Sequence, residues 1–206
     1  MKNVFHMEND VMLYCDLEEF IEVFSANYKG IAATFDNEER VIPGFLYIHD
    51  DQSIGSLTRF LAKKSLSGEN DMVTLAAFKF VENGKYIDNL PIIFPSYAEK
   101  HPLVSSYKHR TDNPKKFFNN YELFEAIFDA AALGQYLGGA DPRNGHLPAG
   151  FINESCLFNP SFLDFIWQND PKGRKVPCAL FERHKIKINN LHIHCKNLEA
   201  FFSGNI

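Results

Sequence analysis

The chain has 206 residues, a formal net charge of -5 at pH 7 and a sequence pI of about 5.9. That length suits one domain able to bury a core without disulfides, and a composition 45% hydrophobic and 23% charged is that of an ordinary globular protein. The acidic balance excludes a nonspecific grip on nucleic acid, and the short basic run Lys172-Gly173-Arg174-Lys175 reads as solvated loop charge. The four cysteines, Cys15, Cys156, Cys178 and Cys195, contain no CxxC pair and match no zinc spacing. They read as reduced thiols, which points to a cytoplasmic location. The first ten residues are polar and acidic, and no apolar run approaches the ~20 residues that span a bilayer.

Residues 3–7 read as a short strand running into the acidic turn Glu8-Asn9-Asp10, and residues 11–14 are apolar again. Asp16 is placed to cap a helix through residue 24, with Leu17, Phe20, Ile21 and Phe24 on one face. Residues 31–35 read as a strand, and Pro43-Gly44 opens another over 45–48. The spacing of Ile54, Leu57, Phe60 and Leu61 predicts a helix over 53–66. Asn70 or Asp71 caps a further helix that turns Met72, Leu75, Ala76 and Phe80 inward. Residues 90–94 read as a strand, and 95–120, polar and broken by prolines, as a long excursion. Helical spacing returns over 121–137, followed by the turn-rich loop Gly138-Gly139-Ala140-Asp141-Pro142-Arg143-Asn144. A short helix over 161–167, strands over 179–181 and 190–195, and a last helix over 197–202 complete the pattern. Alternating strands and helices make residues 1–206 a single domain of the α/β class.

Three places carry candidate chemistry. Glu8 and Asp10 sit two apart at the C-terminal end of an expected strand, where ligands bind in open α/β sheets. Paired carboxylates suit a hard divalent cation, Mg²⁺ or Mn²⁺; a solvated acidic turn has the same sequence. In a strand over 190–195, His192 and His194 share one face. Imidazole favours Mn²⁺ over Mg²⁺, and Lys196 beyond them suits a phosphate; a wet strand face looks alike. Between these lie Asp129, Gln135 and Tyr136 in an otherwise small and apolar stretch, then Asp141 and Arg143 after a glycine pair, then Asn153 and Glu154 at a polar tip. Backbone in close approach, a carboxylate and a fork of donors suit sugar hydroxyls.

Taken in order, residues 6–10, 129–144, 150–160 and 189–198 resemble the bacterial and viral glycosyltransferases of the GT-A type. The resemblance covers residues 4 to about 202 and implies a partial GT-A-like mixed sheet flanked by helices. It implies that Glu8 and Asp10, with His194 and His192, bind Mn²⁺ or Mg²⁺, and that Lys196, Asn9, Arg143 and Asp141 contact the nucleotide sugar. Asp129 and Glu154 become candidates for sugar contact or for the general base that an inverting reaction needs. The motif here is Glu-Asn-Asp where the family has Asp-x-Asp. Only seven residues precede Glu8, where the family places a βαβ nucleotide-binding half. The expected function is therefore transfer of a sugar from a nucleotide sugar to a glycan or other hydroxyl acceptor, by a metal-dependent glycosyltransferase or its truncated catalytic half. The alternatives are an inactive remnant that binds a sugar or a partner, and a metallohydrolase using Glu8, Asp10, His192 and His194. Loss of the first half is expected to strip neighbours from residues 3–7 and 45–48, and to favour self-association or a partner chain that supplies the missing strands.

Overall fold

A computed structural model describes residues 2–64, 68–81, 87–105, 109–141 and 147–203. The fold is mixed α/β. Strand β1 (Lys2–Met7) pairs antiparallel with β4 (Arg40–Asp50), which also pairs with β3 (Ile31–Asn37); β5 (Ile87–Asn89) lies parallel to β3, giving the order β1-β4-β3-β5. All seven residues of β3 are buried, because the sheet is covered on both faces. The stretch 45–48 is thus interior to the sheet and paired on both sides, contrary to the expectation that it lacks neighbours; β1 is an edge.

Helix α1 (Leu17–Asn27) starts where Asp16 accepts the Glu18 N–H at 3.1 Å, as its cap chemistry predicts. It buries Phe24 against Phe45, Tyr47, Phe124 and Phe128. The rings pack directly on one another: Phe24 and Tyr47 lie 4.8 Å apart, and Phe124 meets Phe128 edge-on at 5.1 Å. Helices α2 (Asp51–Lys64) and α3 (Asp71–Val81) pack Leu57, Phe60, Leu75 and Ala76 onto the second core cluster, as their periodicity predicts. Asn70 accepts the Met72 N–H at 2.9 Å. The side chain of Phe80 lies outside the described residues.

A second sheet joins the two ends of the chain: β2 (Val11–Leu13) pairs antiparallel with β10 (Asn190–His192). The third has the order β6-β9-β8-β7, from β6 (Ala126–Ile127), β7 (Asp164–Asn169), β8 (Lys175–Phe181) and β9 (His184–Ile188).

Several elements differ from the sequence reading. Pro43-Gly44 does not begin a strand; it is a bulge inside β4, since Ala33 pairs with Leu46 while Thr34 pairs with Ile42. A bulge is where a residue without an N–H fits a sheet. Residues 90–94 are buried but irregular, because Ile92 and Ile93 give their N–H groups to the Phe117 carbonyl. Within 95–120 lie helix α4 (Pro95–Lys100) and a 3-10 turn at Pro114–Phe117. The helix expected over 121–137 is broken into α5 (Tyr121–Phe124), β6 and α6 (Leu133–Gly138). The helix expected over 161–167 is a 3-10 turn at Pro160–Phe162 followed by β7. Strand β10 stops at His192, and a 3-10 turn at Leu198–Phe201 stands where the last helix was expected. No helix among the described residues is long and apolar enough to cross a membrane.

Candidate metal centre

The site is built where the second sheet meets the bulge of β4. The turn after β1 is closed by Glu8 N–H on the Gly44 carbonyl at 3.1 Å and Val11 N–H on the Glu8 carbonyl at 3.2 Å. Ile193 N–H on the Asp10 carbonyl at 2.7 Å then fixes this turn beside the end of β10. Gly44 is required for a spatial reason, since a Cβ there would stand 2.8 Å from His192 Nδ1. The bulge therefore lets the imidazole lie against β4.

So placed, His192 Nε2 is 3.2 Å from Glu8 Oε2 and 3.2 Å from Asp10 Oδ1. The three donor atoms lie within 4.8 Å of one another. Ligands bound at about 2.0–2.2 Å around one octahedral ion are separated by about 3 Å along each edge, so two of the three spacings already suit a shared cation. Asp10 is 6% exposed, and its Oδ1 has no hydrogen-bond partner among the described residues. Its other oxygen pairs with Lys196. Burial works to raise the Asp10 carboxyl, but the Lys196 hydrogen bond and the His192 and Lys196 charges outweigh it and hold the group below its usual range. Asp10 is thus a carboxylate with one oxygen on a lysine and the other facing His192 Nε2 without a hydrogen bond to it.

His194 lines the same cleft, its ring 4.4 Å from that of His192. It follows the end of β10, so the strand alternation expected over 190–195 does not place it; of the two histidines, His192 has the ring nitrogen in the cluster. Burial, and then the neighbouring His192, push the His194 pKa down to about 4, so it is neutral at pH 7, with a buried Nε2 lacking a hydrogen-bond partner among the described residues.

Asp129 is in a different place from that expected of a general base. It is 2% exposed, and its oxygens accept backbone N–H groups from Ala132, Leu133, Gly134 and His192 at 2.8 to 2.9 Å. Burial raises this carboxyl, yet four donors with no acceptor fit only its ionised form. The carboxylate is fully used in turning the chain into α6 and in holding the His192 backbone. Gly134 completes the joint, because a Cβ there would fall 1.9 Å from the His192 carbonyl oxygen. Asp129 acts on the site through His192.

Glu154 is exposed on a turn and does not line the cleft, although its neighbours Asn153 and Ser155 do. Asn9 is exposed at the tip of its turn, also outside the lining. Asp141 is buried, donates its N–H to the His194 carbonyl at 3.0 Å and favours the charged form of that ring. Arg143 lies outside the described residues.

One contributor to the cleft was not singled out in the sequence. Arg40 lines the cleft from the start of β4, held by Asp36 at 2.7 Å. Asp36 is fully buried; burial raises its pKa to about 6, outweighing the Arg40 charge. The signal was present as an acid and a base flanking the tight turn between β3 and β4. Gln135, noted in sequence only as a polar group in an apolar stretch, brings a buried Oε1 without a partner among the described residues. The cleft is about 340 Å³, at the small end of ligand sites. Comparison with protein-family models, curated proteins and solved structures finds no match to this chain.

Proposed function

We propose that this chain is a metal-dependent glycosyltransferase, in which Glu8, Asp10 and His192 hold a divalent cation that engages the diphosphate of a nucleotide sugar. The single observation that carries this reading is the approach of His192 Nε2 to both carboxylates at 3.2 Å. Two carboxylates and one imidazole suit Mn²⁺ better than Mg²⁺. When bound, the cation would neutralise charge on a departing diphosphate.

The chain's own residues supply the rest. Lys196 and Arg40 flank the acid cluster and would meet phosphate oxygens, Arg40 through its planar fork. Gln135, Asn153 and Ser155 offer neutral donors and acceptors to sugar hydroxyls. An inverting reaction needs a carboxylate to take the acceptor proton. With Asp129 closed off by its four N–H donors, Asp71 is the described carboxylate of the cleft outside the metal cluster. The sugar and diphosphate would occupy this cleft of about 340 Å³. The free cysteines favour a cytoplasmic location.

The test is a panel of nucleotide sugars with Mn²⁺ and a glycan acceptor, with hydrolysis and transfer followed by release of the nucleoside diphosphate. Release that Glu8→Gln abolishes supports the reading. Mn²⁺ binding without release from any donor, alone or beside a co-expressed partner, rejects it.

A further inference from the structure

A second cleft, of about 520 Å³, lies at the β5 edge of the first sheet and shares no lining residue with the metal centre. Ligand sites of this size are usually lined by apolar side chains. This one presents Asn27, Asn89, Asn113, Asn119 and Asn120, with Asp88 among them. Each carboxamide offers both a donor and an acceptor, the pairing that adjacent hydroxyls of a sugar ring require.

Three of the five asparagines, Asn27, Asn89 and Asn120, are held in place by hydrogen bonds of their own side chains. Phe117 is fully buried, and its carbonyl accepts from Ile92 and Ile93. Asn120 sits at φ 64°, a left-handed position asparagine tolerates, and its Nδ2 donates to the Tyr28 hydroxyl at 3.2 Å. Asn27 is tied by its Nδ2 to the Val23 carbonyl at 2.8 Å. Asn89 uses its Oδ1 on the Phe35 N–H at 3.2 Å, which leaves a buried Nδ2 with no partner among the described residues. A buried amide donor without an acceptor is costly, and Asn89 is one of the residues that line this cleft.

Charge decides the class of ligand. Of the two lysines at the rim, Lys116 is held by Glu38, and Asp88 faces the same space, half-buried, its carboxyl raised by that burial. An anion would meet an acid and few cations. A nucleobase would find no ring to stack on, since Tyr28 is 1% exposed. We propose that this cleft is a binding site for a neutral carbohydrate, engaged through the asparagine side chains. It does not rest on the glycosyltransferase reading, and it would hold a glycan chain away from the metal centre.

The experiment uses the full chain with EDTA present and no nucleotide, so that it reads this cleft alone. Side-chain amide resonances are followed by nuclear magnetic resonance during titration with a mixed panel of neutral mono- and oligosaccharides, and separately with inorganic phosphate and uridine. Shifts of the Asn89 and Asn120 amides with a saccharide, weakened about tenfold by Asn119→Ala and by Asn113→Ala, support the proposal. Both substituted side chains are exposed, so folding is not at stake, and an unchanged thermal midpoint confirms it. No shift with any saccharide, shifts with phosphate or uridine in their place, or saccharide binding that both variants leave intact, would overturn it.

Discussion

Two buried aspartates stand on either side of His192 and do opposite things. Asp129 has both oxygens filled by four backbone N–H groups; Asp10 has one oxygen on Lys196 and the other without a hydrogen-bond partner among the described residues. A carboxylate saturated by its own backbone can only build structure, since every lone pair it has is committed. One left half-satisfied in a low-dielectric pocket is costly to the fold and useful to a cation. Burial alone does not separate the two, at 2% and 6% exposed.

The largest effect expected from this contrast is on stability at the saturated site. Asp129→Asn puts an amide NH₂ among groups that are all donors, and should cost about 3–5 kcal/mol, the range for breaking a buried and fully paired charge. It should also loosen Mn²⁺ binding, because the His192 backbone loses its anchor. Urea denaturation beside a Mn²⁺ titration measures both. A stability loss below about 1 kcal/mol would mean that the N–H cradle does not bear on the fold.

A smaller effect separates the titrating groups near the cleft. Asp36 is raised from 3.8 to about 6, so the folded state holds the proton more tightly than the unfolded one, and Asp36 lowers stability as pH rises from about 4 to 6. His194 is lowered from 6.5 to about 4, so it contributes stability above pH 6.5 that is lost as pH falls toward 4. The two oppose one another in the same window. Asp36→Asn removes one side of the balance and should add roughly 2–3 kcal/mol to the loss of stability on acidification from pH 6 to pH 4. Melting midpoints of the two proteins across that range would show it; parallel profiles would contradict the assignment.

Gly44→Ala sharpens the same contrast from the other side of the ring. A Cβ 2.8 Å from His192 Nδ1 must displace the imidazole, and the far end of a side chain can give way. Mn²⁺ affinity should fall about tenfold, in line with other changes behind a metal ligand, while stability falls by only about 1 kcal/mol. A loss of stability with metal affinity intact would place Gly44 in the fold alone.

Much of the first sheet was legible because its signals are local. Asp16 and Asn70 are caps, Leu57 and Phe60 keep a helical period, and β3 is apolar but for Thr34 up to Asp36. What failed is what depends on distant partners. Residues 121–137 have helical spacing, but Asp129 draws the N–H groups of Ala132, Leu133 and Gly134 into a turn from which α6 starts afresh. Residues 164–169 pair with a strand that follows them, and nothing within the segment announces it. Of the four residues read in sequence as candidate metal ligands, Glu8, Asp10 and His192 come together, while His194 lies just past the end of β10 and brings no ring nitrogen to the cluster. That Asp129 belongs to the scaffold could not be read, since its role is defined by the His192 backbone, 63 residues along the chain.

The central claim is that Glu8, Asp10 and His192 form one cation site, and isothermal titration of the full chain with Mn²⁺ at pH 7.5 tests it most directly. The account predicts one ion per chain in the wild-type protein. It predicts a loss of at least tenfold in affinity in each of Glu8→Gln, Asp10→Asn and His192→Gln, with Glu154→Gln, away from the cleft, unchanged. Binding that survives all three substitutions, or no binding by the wild-type chain at millimolar Mn²⁺, would contradict it.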